Sequence, residues 1–434
     1  MVETIKIKMM GCFMPALLLF TVPSVWSQTP VRLSLEKALE TALKQNPTIR
    51  EAEQELEAAE ARVKQARADY FPQVGSSGLA KIGLSGALNG LEPVGLANSP
   101  LYRNLAEGVN VHHPGVDFGR TKFGVNEEQN RRDVFAANLD AAKAFVTLDT
   151  SRAFYNLLQA RRLREVSHQI LRSREFNVRQ AQAFYEGKLR SRVDLELARF
   201  SLSEAQLRVL EAENAVRIRL AELGRAMGAS QEADYDLEEV NQALPEVGRL
   251  TDLIEEAYQN RPELLALGAE REAAAESIRL AQSQRKPMLS FFFSGGYARF
   301  TNVLARQLLA LGTGLSFPIL TWGKLEGQIE EAEARKRVLD NRYEALRLSV
   351  EVETRTAFLR LQNALQSIET LKSQAAFARE AARLARARYQ ERLGSIVELT
   401  QAEANLAQAE AGEAIGVYTA RSAGAELRFA VGRR

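Results

Sequence analysis

Little in this sequence could act chemically on a bound substrate or hold a metal. Its three histidines are His112, His113 and His168, two adjacent and one far along the chain, where a metal centre or catalytic constellation needs several donors converging at suitable spacings. The single cysteine, Cys12, falls in a segment that reads as a secretory signal, so the exported chain is expected to carry no thiol. Outside that segment only Met227 and Met288 carry thioethers, too few to line a path for a soft metal. Gly295-Gly296 and Gly312-x-Gly314 sit inside alternating runs instead of opening a helix, so they suit close packing of strands and not a phosphate cradle. No catalytic residue, metal or cofactor is expected, and the chain does not read as an enzyme. Lys+Arg 57 against Asp+Glu 55 leaves a formal charge of +2, without the basic footprint that a phosphate backbone demands, so nucleic acid is not expected as a partner.

What is left to carry function is architecture. Lys6 and Lys8, the apolar run Met9 to Val22 and the cleavage-like Val25-Trp26-Ser27 mark residues 1–27 as a signal peptide. Cys12 precedes most of that apolar run, the wrong side for a lipoprotein box, so no lipid anchor is expected. No later stretch reaches the roughly 18 apolar residues of a membrane-crossing helix, and only a closed β-barrel could then span a bilayer. A large exported chain without disulfides must be held by packing, a barrel or assembly.

The sequence is written twice. Leu35 to Pro72 aligns without a gap on Leu250 to Pro287 at an offset of 215, fixed by Pro47/Pro262 and Pro72/Pro287. Pro114 to Gly228 aligns on Pro318 to Gly432 at an offset of 204, with matches at Gly119/Gly323, Phe154/Phe358, Tyr185/Tyr389, Leu189/Leu393, Ser191/Ser395 and Val193/Val397. The offsets differ by 11, so the first copy carries 11 extra residues between Pro72 and Pro114, an insertion that belongs in a loop. The reading is a first repeat at 28–228, an acidic connector at 229–249 broken by Pro245, and a second repeat at 250–434.

Within each copy, Thr48 to Tyr70 and Glu263 to Lys286 are rich in strong helix formers, with Pro47 and Pro262 at the tolerated first turn and Pro72 and Pro287 forcing an extended exit. Strands are expected at about 73–90, 105–114, 288–300 and 308–318. Leu309, Leu311, Leu315 and Phe317 alternate with small residues, and Leu289, Phe291, Phe293 and Tyr297 with Ser290, Ser294 and Ala298, apart from Phe292. An apolar face opposite a small or polar one suits a barrel strand with Leu309, Leu311, Leu315 and Phe317 toward lipid. A soluble hairpin packed on helices would also alternate. Four strands cannot close where the smallest membrane barrels need about eight, so several chains must pool them. Beyond Arg120 and Lys324 run long proline-free tracts, 120–228 and 324–432, each turning back near 185–190 or 389–395 as a helical hairpin. Phe154, Leu157, Ala160, Leu163, Val166 and Ile170 form one apolar stripe, as in a coiled coil.

Pro114-Gly-Val-Asp-Phe-Gly-Arg120, Pro318-Ile-Leu-Thr-Trp-Gly-Lys324 and the paired hairpin ends from Tyr185 and Tyr389 resemble those of the TolC-like outer-membrane factor family over essentially the whole mature chain. The resemblance implies a mixed α and β membrane protein, a duplicated helix-strand-strand-helix unit in a homotrimer with a 12-strand barrel over a coiled-coil periplasmic tunnel. It implies the exit duct of a tripartite efflux pump or type I secretion system, set in outer-membrane lipid. Its partners would be a periplasmic adaptor (membrane fusion) protein and an inner-membrane transporter. By motif register Asp194, Tyr389, Glu398 and Gln401 fall near the tunnel aperture, and Gly187, Leu189, Ser191, Leu393, Gly394 and Ser395 at the adaptor-facing tip. The chain departs from the family at Arg392, where the pattern favours glycine, and at Gly394, where well-known members place a basic gating residue. Glu398 either forms an acidic constriction with its copies or is an ordinary solvated helix charge. An alternative reading is a trimeric, barrel-anchored adhesive or structural coiled coil; a soluble periplasmic scaffold is a third.

Overall fold

The computed structural model describes residues 31–84, 101–229, 235–239, 244, 248–300 and 303–433. The expected signal at 1–27 with Cys12, and the 85–90 end of the first expected strand, lie outside the described residues.

Helix starts follow the local chemistry. Ser34 accepts from the Lys37 amide at 3.3 Å to open α1 (Leu35–Gln45). Asn46 accepts from the Thr48 amide at 2.9 Å ahead of Pro47, which begins α2 (Pro47–Ala68). Then come β2 (Gln73–Leu84), β3 (Leu101–Val116), α3 (Arg120–Glu186) and α4 (Arg192–Met227). The second copy repeats the series as α5 (Leu250–Asn260), α6 (Pro262–Ser283), β5 (Met288–Phe300), β6 (Val303–Ser316), α7 (Lys324–Gln390) and α8 (Ile396–Val431). Two short strands complete the order: β1 (Val31–Leu33) pairs in parallel with β4 (Tyr235–Leu237), which lies inside the acidic connector. Three residues are too few to show a period, so this pairing is silent in sequence.

Both α3 and α7 are 67 residues long, about 100 Å at about 1.5 Å per residue. Against each, two shorter helices stack end to end. At Gly228, which ends α4 with φ +71°, a Cβ would come within 2.8 Å of the Asn46 Cα, so glycine is required both for the backbone angle and for the approach of α2. Asn46 Nδ2 and Thr150 Oγ1 donate to the Ala226 carbonyl at 2.8 and 3.3 Å, satisfying an acceptor at the end of α4. The second copy builds the same joint with Gly432 at φ +80° and with Arg261 Nη1 and Thr354 Oγ1 donating to Ala430 at 3.3 and 3.2 Å.

The four long strands form one antiparallel sheet in the order β2-β3-β5-β6. Above it the helices lie side by side in the order α2-α3-α6-α7. Since α2 leads into β2, β3 into α3, α6 into β5 and β6 into α7, the helical layer is the sheet continued without a change of order. Registered rows separate two faces. Val74, Val111, Phe293 and Leu311 form one row, and Gly75, Asn110, Ser294 and Ala310 the next row, on the opposite face. On the polar face Asn110 Nδ2 donates to Ser77 Oγ at 2.9 Å and Ser294 Oγ donates to Asn110 Oδ1 at 2.7 Å, a cross-strand ladder. Phe292, the exception to the alternation, lies on this face over Gly312, where a Cβ would come 2.4 Å from its ring. Leu309, Leu311 and Leu315 are 77%, 82% and 73% exposed on the apolar face. Phe317 falls one residue beyond β6, and β6 begins at Val303, five residues earlier than the alternation suggests. Among the described residues β2 and β6 have no strand on their outer sides, and no helix is long and apolar enough to cross a membrane.

Candidate functional site at the hairpin tips

Because α3 and α7 start at the sheet and have equal length, their far ends arrive together. Each tip closes in the same way. Leu189 N donates to the Phe184 carbonyl and Leu393 N to the Arg388 carbonyl, both at 2.8 Å. The left-handed residues are Lys188 at φ +54° and Arg392 at φ +65°, so Arg392 occupies a position where glycine is the usual choice. Gly187 has φ −73° and needs no glycine for its backbone. Ser191 Oγ accepts from the Asp194 amide at 3.4 Å and Ser395 Oγ from the Glu398 amide at 3.0 Å, opening α4 and α8. Leu189 and Leu393 point outward, the latter 74% exposed.

The two tips are tied to each other by Arg190, which sequence reading missed. Its Nη2 donates to the Gly394 carbonyl at 2.7 Å, and its guanidinium lies 5.3 Å from the centre of the Tyr389 ring. Tyr389, expected near the aperture, is 0% exposed: it packs with Ala385, Ile396 and Leu399, and its ring lies 5.8 Å from that of Phe184 on α3. The side chain thus fills the seam between hairpins and lines no passage in the single chain. Burial and the nearby Asp194 raise its hydroxyl pKa above the usual tyrosine value, partly opposed by Arg190, so the ring stays neutral. Arg190 could have been found by alignment: it occupies the first-copy position equivalent to Gly394, so that one position is basic in the first tip and glycine in the second.

Glu398 meets Arg388 Nε at 3.2 Å and is therefore partly neutralised by its own hairpin, while remaining 44% exposed along its side chain. Gln401 is exposed and donates to Asn405 Oδ1 at 3.0 Å along α8. Asp194 is half-buried at the start of α4. The structure thus brings Asp194 and Tyr389 into electrostatic reach of each other, and leaves Glu398 and Gln401 on the open part of α8.

A second connection lies deeper. Glu403, 5% exposed, accepts from Arg174 Nη1 at 2.6 Å and Asn177 Nδ2 at 2.7 Å through Oε2, and from Arg386 Nη2 at 2.8 Å and Ser173 Oγ at 3.2 Å through Oε1. One carboxylate of α8 thereby holds α3 and α7. The sequence signal was a lone acid between Leu399 and Ala407 on the buried stripe of α8. Elsewhere His168 Nε2 lies 3.4 Å from Glu213, His113 Nε2 lies 3.2 Å from the Tyr70 carbonyl oxygen, and among the described residues no group of three or more His, Cys, Asp or Glu is placed to hold a metal ion.

This geometry, a four-stranded sheet with one exposed apolar face continued by helical hairpins tied at their tips, has counterparts. The chain is 22% identical over 411 residues to Nodulation protein T of Rhizobium leguminosarum bv. trifolii, covering 92% of this chain and 85% of the relative. It superposes on the outer-membrane channel OprN with a TM-score of 0.81 at 19% identity, covering 92% of this chain and 90% of the other. With the outer membrane protein VceC from Vibrio cholerae the TM-score is 0.79 at 21% identity, covering 92% and 96%. The family model for outer membrane efflux proteins matches residues 38–229 and 253–433, nearly all of both copies, and the chain belongs to that family of the outer membrane.

Proposed function

We propose that three copies of the chain close into one continuous duct, a barrel of twelve strands in the outer membrane over a tunnel of helices in the periplasm. The duct passively releases cargo delivered by an inner-membrane transporter through a periplasmic adaptor. The observation that carries this is the common order of sheet and helices: both layers stop at the same two margins, β2 with α2 on one side and β6 with α7 on the other. An unpaired strand edge is prohibitively costly in lipid, and a margin that differs from its opposite closes head to tail into a ring. Two copies would give eight strands, a bore that side chains fill; three leave a passage. The same margins are apolar near the tips, where Leu197 and Phe200 on α4 and Phe377 and Leu384 on α7 are exposed.

In this reading Asp194, Tyr389, Glu398 and Gln401 surround the aperture, with Arg190 fastening one tip to the other and Tyr389 acting from within the seam. Gly187, Leu189, Ser191, Leu393, Gly394 and Ser395 meet the adaptor, the two leucines supplying apolar contacts. Leu309, Leu311, Leu315 and Phe317 face lipid.

Phe200 lies eight residues beyond Arg192, the start of α4, and Leu384 six residues before Gln390, the end of α7, heights of about 12 and 9 Å from the tips at about 1.5 Å per residue. A chain carrying Phe200→Cys and Leu384→Cys is therefore expected to oxidise between copies into a species of three chains, while retaining channel conductance in bilayers. Only intrachain bonds, or a ladder extending beyond three, would overturn the ring.

A further inference from the structure

Below the sheet the helical layer holds a cavity of about 580 Å³, within the range of small-ligand sites. Ala273 and Ala274 of α6 lie between two walls, Val134 and Phe135 of α3 and Val338 and Leu339 of α7. The walls are equivalent segments of the two copies, since Arg131, Val134 and Phe135 align on Arg335, Val338 and Leu339 at the offset of 204. Charged residues complete the lining, and arginines outnumber acids: Arg62, Arg131, Arg335 and Arg342 against Glu127 and Glu270. Arg131 is engaged by Glu127 and Arg335 by Glu331, both at 2.5 Å.

Arg62 and Arg342 are exposed and have no carboxylate partner among the described residues, and the exposed Glu270 pairs with neither. Arg62 lies 5.5 Å from the centre of the Phe135 ring. These two cations are no part of the shared scaffold, because Ser277 and Asn138 stand at their positions in the other copy. Both lie toward the end of the cavity away from the sheet. Phe135 is fifteen residues along α3 from Arg120, and Arg342 eighteen along α7 from Lys324, about 22 and 27 Å at about 1.5 Å per residue. Even Glu127, at the near end, is seven residues and about 10 Å from the start of α3, so lipid around the strands does not reach the cavity.

The cavity opens on the side of the layer that carries Gln401. A lower cavity of about 600 Å³ is lined by Leu163 and Gln401, and another of about 560 Å³ by Gln159, Asn363 and Ser367. Gln159 and Leu163 stand 28 residues after Arg131 and Phe135, and Asn363 and Ser367 stand 28 after Arg335 and Leu339. At about 3.5 residues per turn that is a whole number of turns, so these cavities share one face.

We propose that the upper cavity holds anionic amphiphilic cargo in transit, its alkyl chain on Val134, Phe135, Val338 and Leu339 and its single acidic head, a sulfate, phosphate or carboxylate, between Arg62 and Arg342. This rests on the reading of the chain as a duct whose aperture Gln401 borders. Guanidinium groups keep their charge and fit such heads with paired hydrogen bonds. Surplus positive charge disfavours a cationic head, and the apolar interior disfavours a small hydrated anion. In the same reading copies meet at the outer margins of α2 and α7, and the cavity lies between those margins, so a neighbouring copy does not fill it.

Octyl sulfate below its micelle concentration is the probe, with octyltrimethylammonium as its cationic counterpart. Equilibrium dialysis against the purified channel in a neutral maltoside detergent should show saturable binding of octyl sulfate beyond that taken up by detergent alone. Arg62→Gln with Arg342→Gln should weaken it about ten- to hundredfold, and Phe135→Ala, which leaves both cations, should weaken it as well. In planar bilayers octyl sulfate should reduce the single-channel current of the native chain at concentrations where octyltrimethylammonium has no effect. Equal binding of the two probes, or binding unchanged in the double variant, overturns the site. Binding without any change in current puts the cavity outside the passage and overturns its role with cargo. Absence of current before the probe is added would remove the duct and the cargo with it, while dialysis still reads the site.

Discussion

Replacing Glu403 with glutamine keeps the volume of the side chain and removes its charge from a site that is 5% exposed. In the native chain that charge is shared by Arg174 at 2.6 Å and Arg386 at 2.8 Å. The two arginines respond differently. The Arg386 side chain is 37% exposed and can turn to water, but that of Arg174 is 8% exposed and stays behind without a counter-charge. Stranding one member of a buried pair costs about 3–5 kcal/mol, which at about 1.4 kcal/mol per tenfold is roughly two to three and a half powers of ten in a local opening equilibrium. Amide hydrogen exchange in the assembled channel reads this directly, because local opening of packed helices sets their protection. Segments around 170–180 of α3 and 400–407 of α8 should exchange faster by that factor, and segments near Thr150 and Thr354 should not. The double variant Glu403→Leu with Arg174→Met removes both charges and should recover most of the protection, since apolar replacement of a buried pair is often neutral. A change below tenfold in the single variant, or equal losses in single and double, would refute the view that this carboxylate holds the hairpins together.

Arg190→Ala removes a charge-assisted hydrogen bond to Gly394 and the cation over Tyr389. At about 1.5–3 kcal/mol the open probability in single-channel recordings should rise about ten- to hundredfold; an unchanged record would free Arg190 of any part in closure. Gly296→Ala places a Cβ 2.4 Å from the Glu107 carbonyl oxygen and 2.8 Å from the Gly108 Cα, backbone atoms that cannot step aside, whereas a Cβ at Gly75 meets nothing within 4 Å. The first substitution should abolish the assembled, heat-resistant oligomer on gels and the second should leave it intact.

Legibility in the sequence followed the range of the interaction. Pro47, Pro72, Pro262 and Pro287 act on their own neighbours, so helix limits near them are readable from the chain alone; α2 and α6 begin on the prolines themselves. The alternation at Leu309 to Leu315 is equally local, although the upstream part of β6 from Val303 to Leu308 is not marked by it. Contacts between copies were not readable. Arg190 reaches Gly394 across 204 positions, and Glu403 reaches Arg174 across 229; only the fold says that these segments meet. For Tyr389, register assigns the residue to the tip region, but only the fold shows its ring packed in the seam between the hairpins.

Duplication explains why a wall can be built, and divergence between the copies explains why the wall can do something. At the joints beneath Gly228 and Gly432 the two copies agree almost atom for atom: a threonine and a polar side chain converge on one carbonyl in each. These joints bear the same load, so nothing separates them. At the tips the copies differ in charge at the position of Arg190, opposite Gly394, while Asp194 and Glu398 keep a carboxylate in both. Were both tips to carry an arginine at that position, two like charges would crowd one seam; were both to carry glycine, no side chain would cross it. A cation on one copy and a free carbonyl on the other form a bond that lies within one chain and can open without disturbing the joints far above. Sheet and joints therefore keep the repeat, while the tips are where the two copies have been free to take separate tasks.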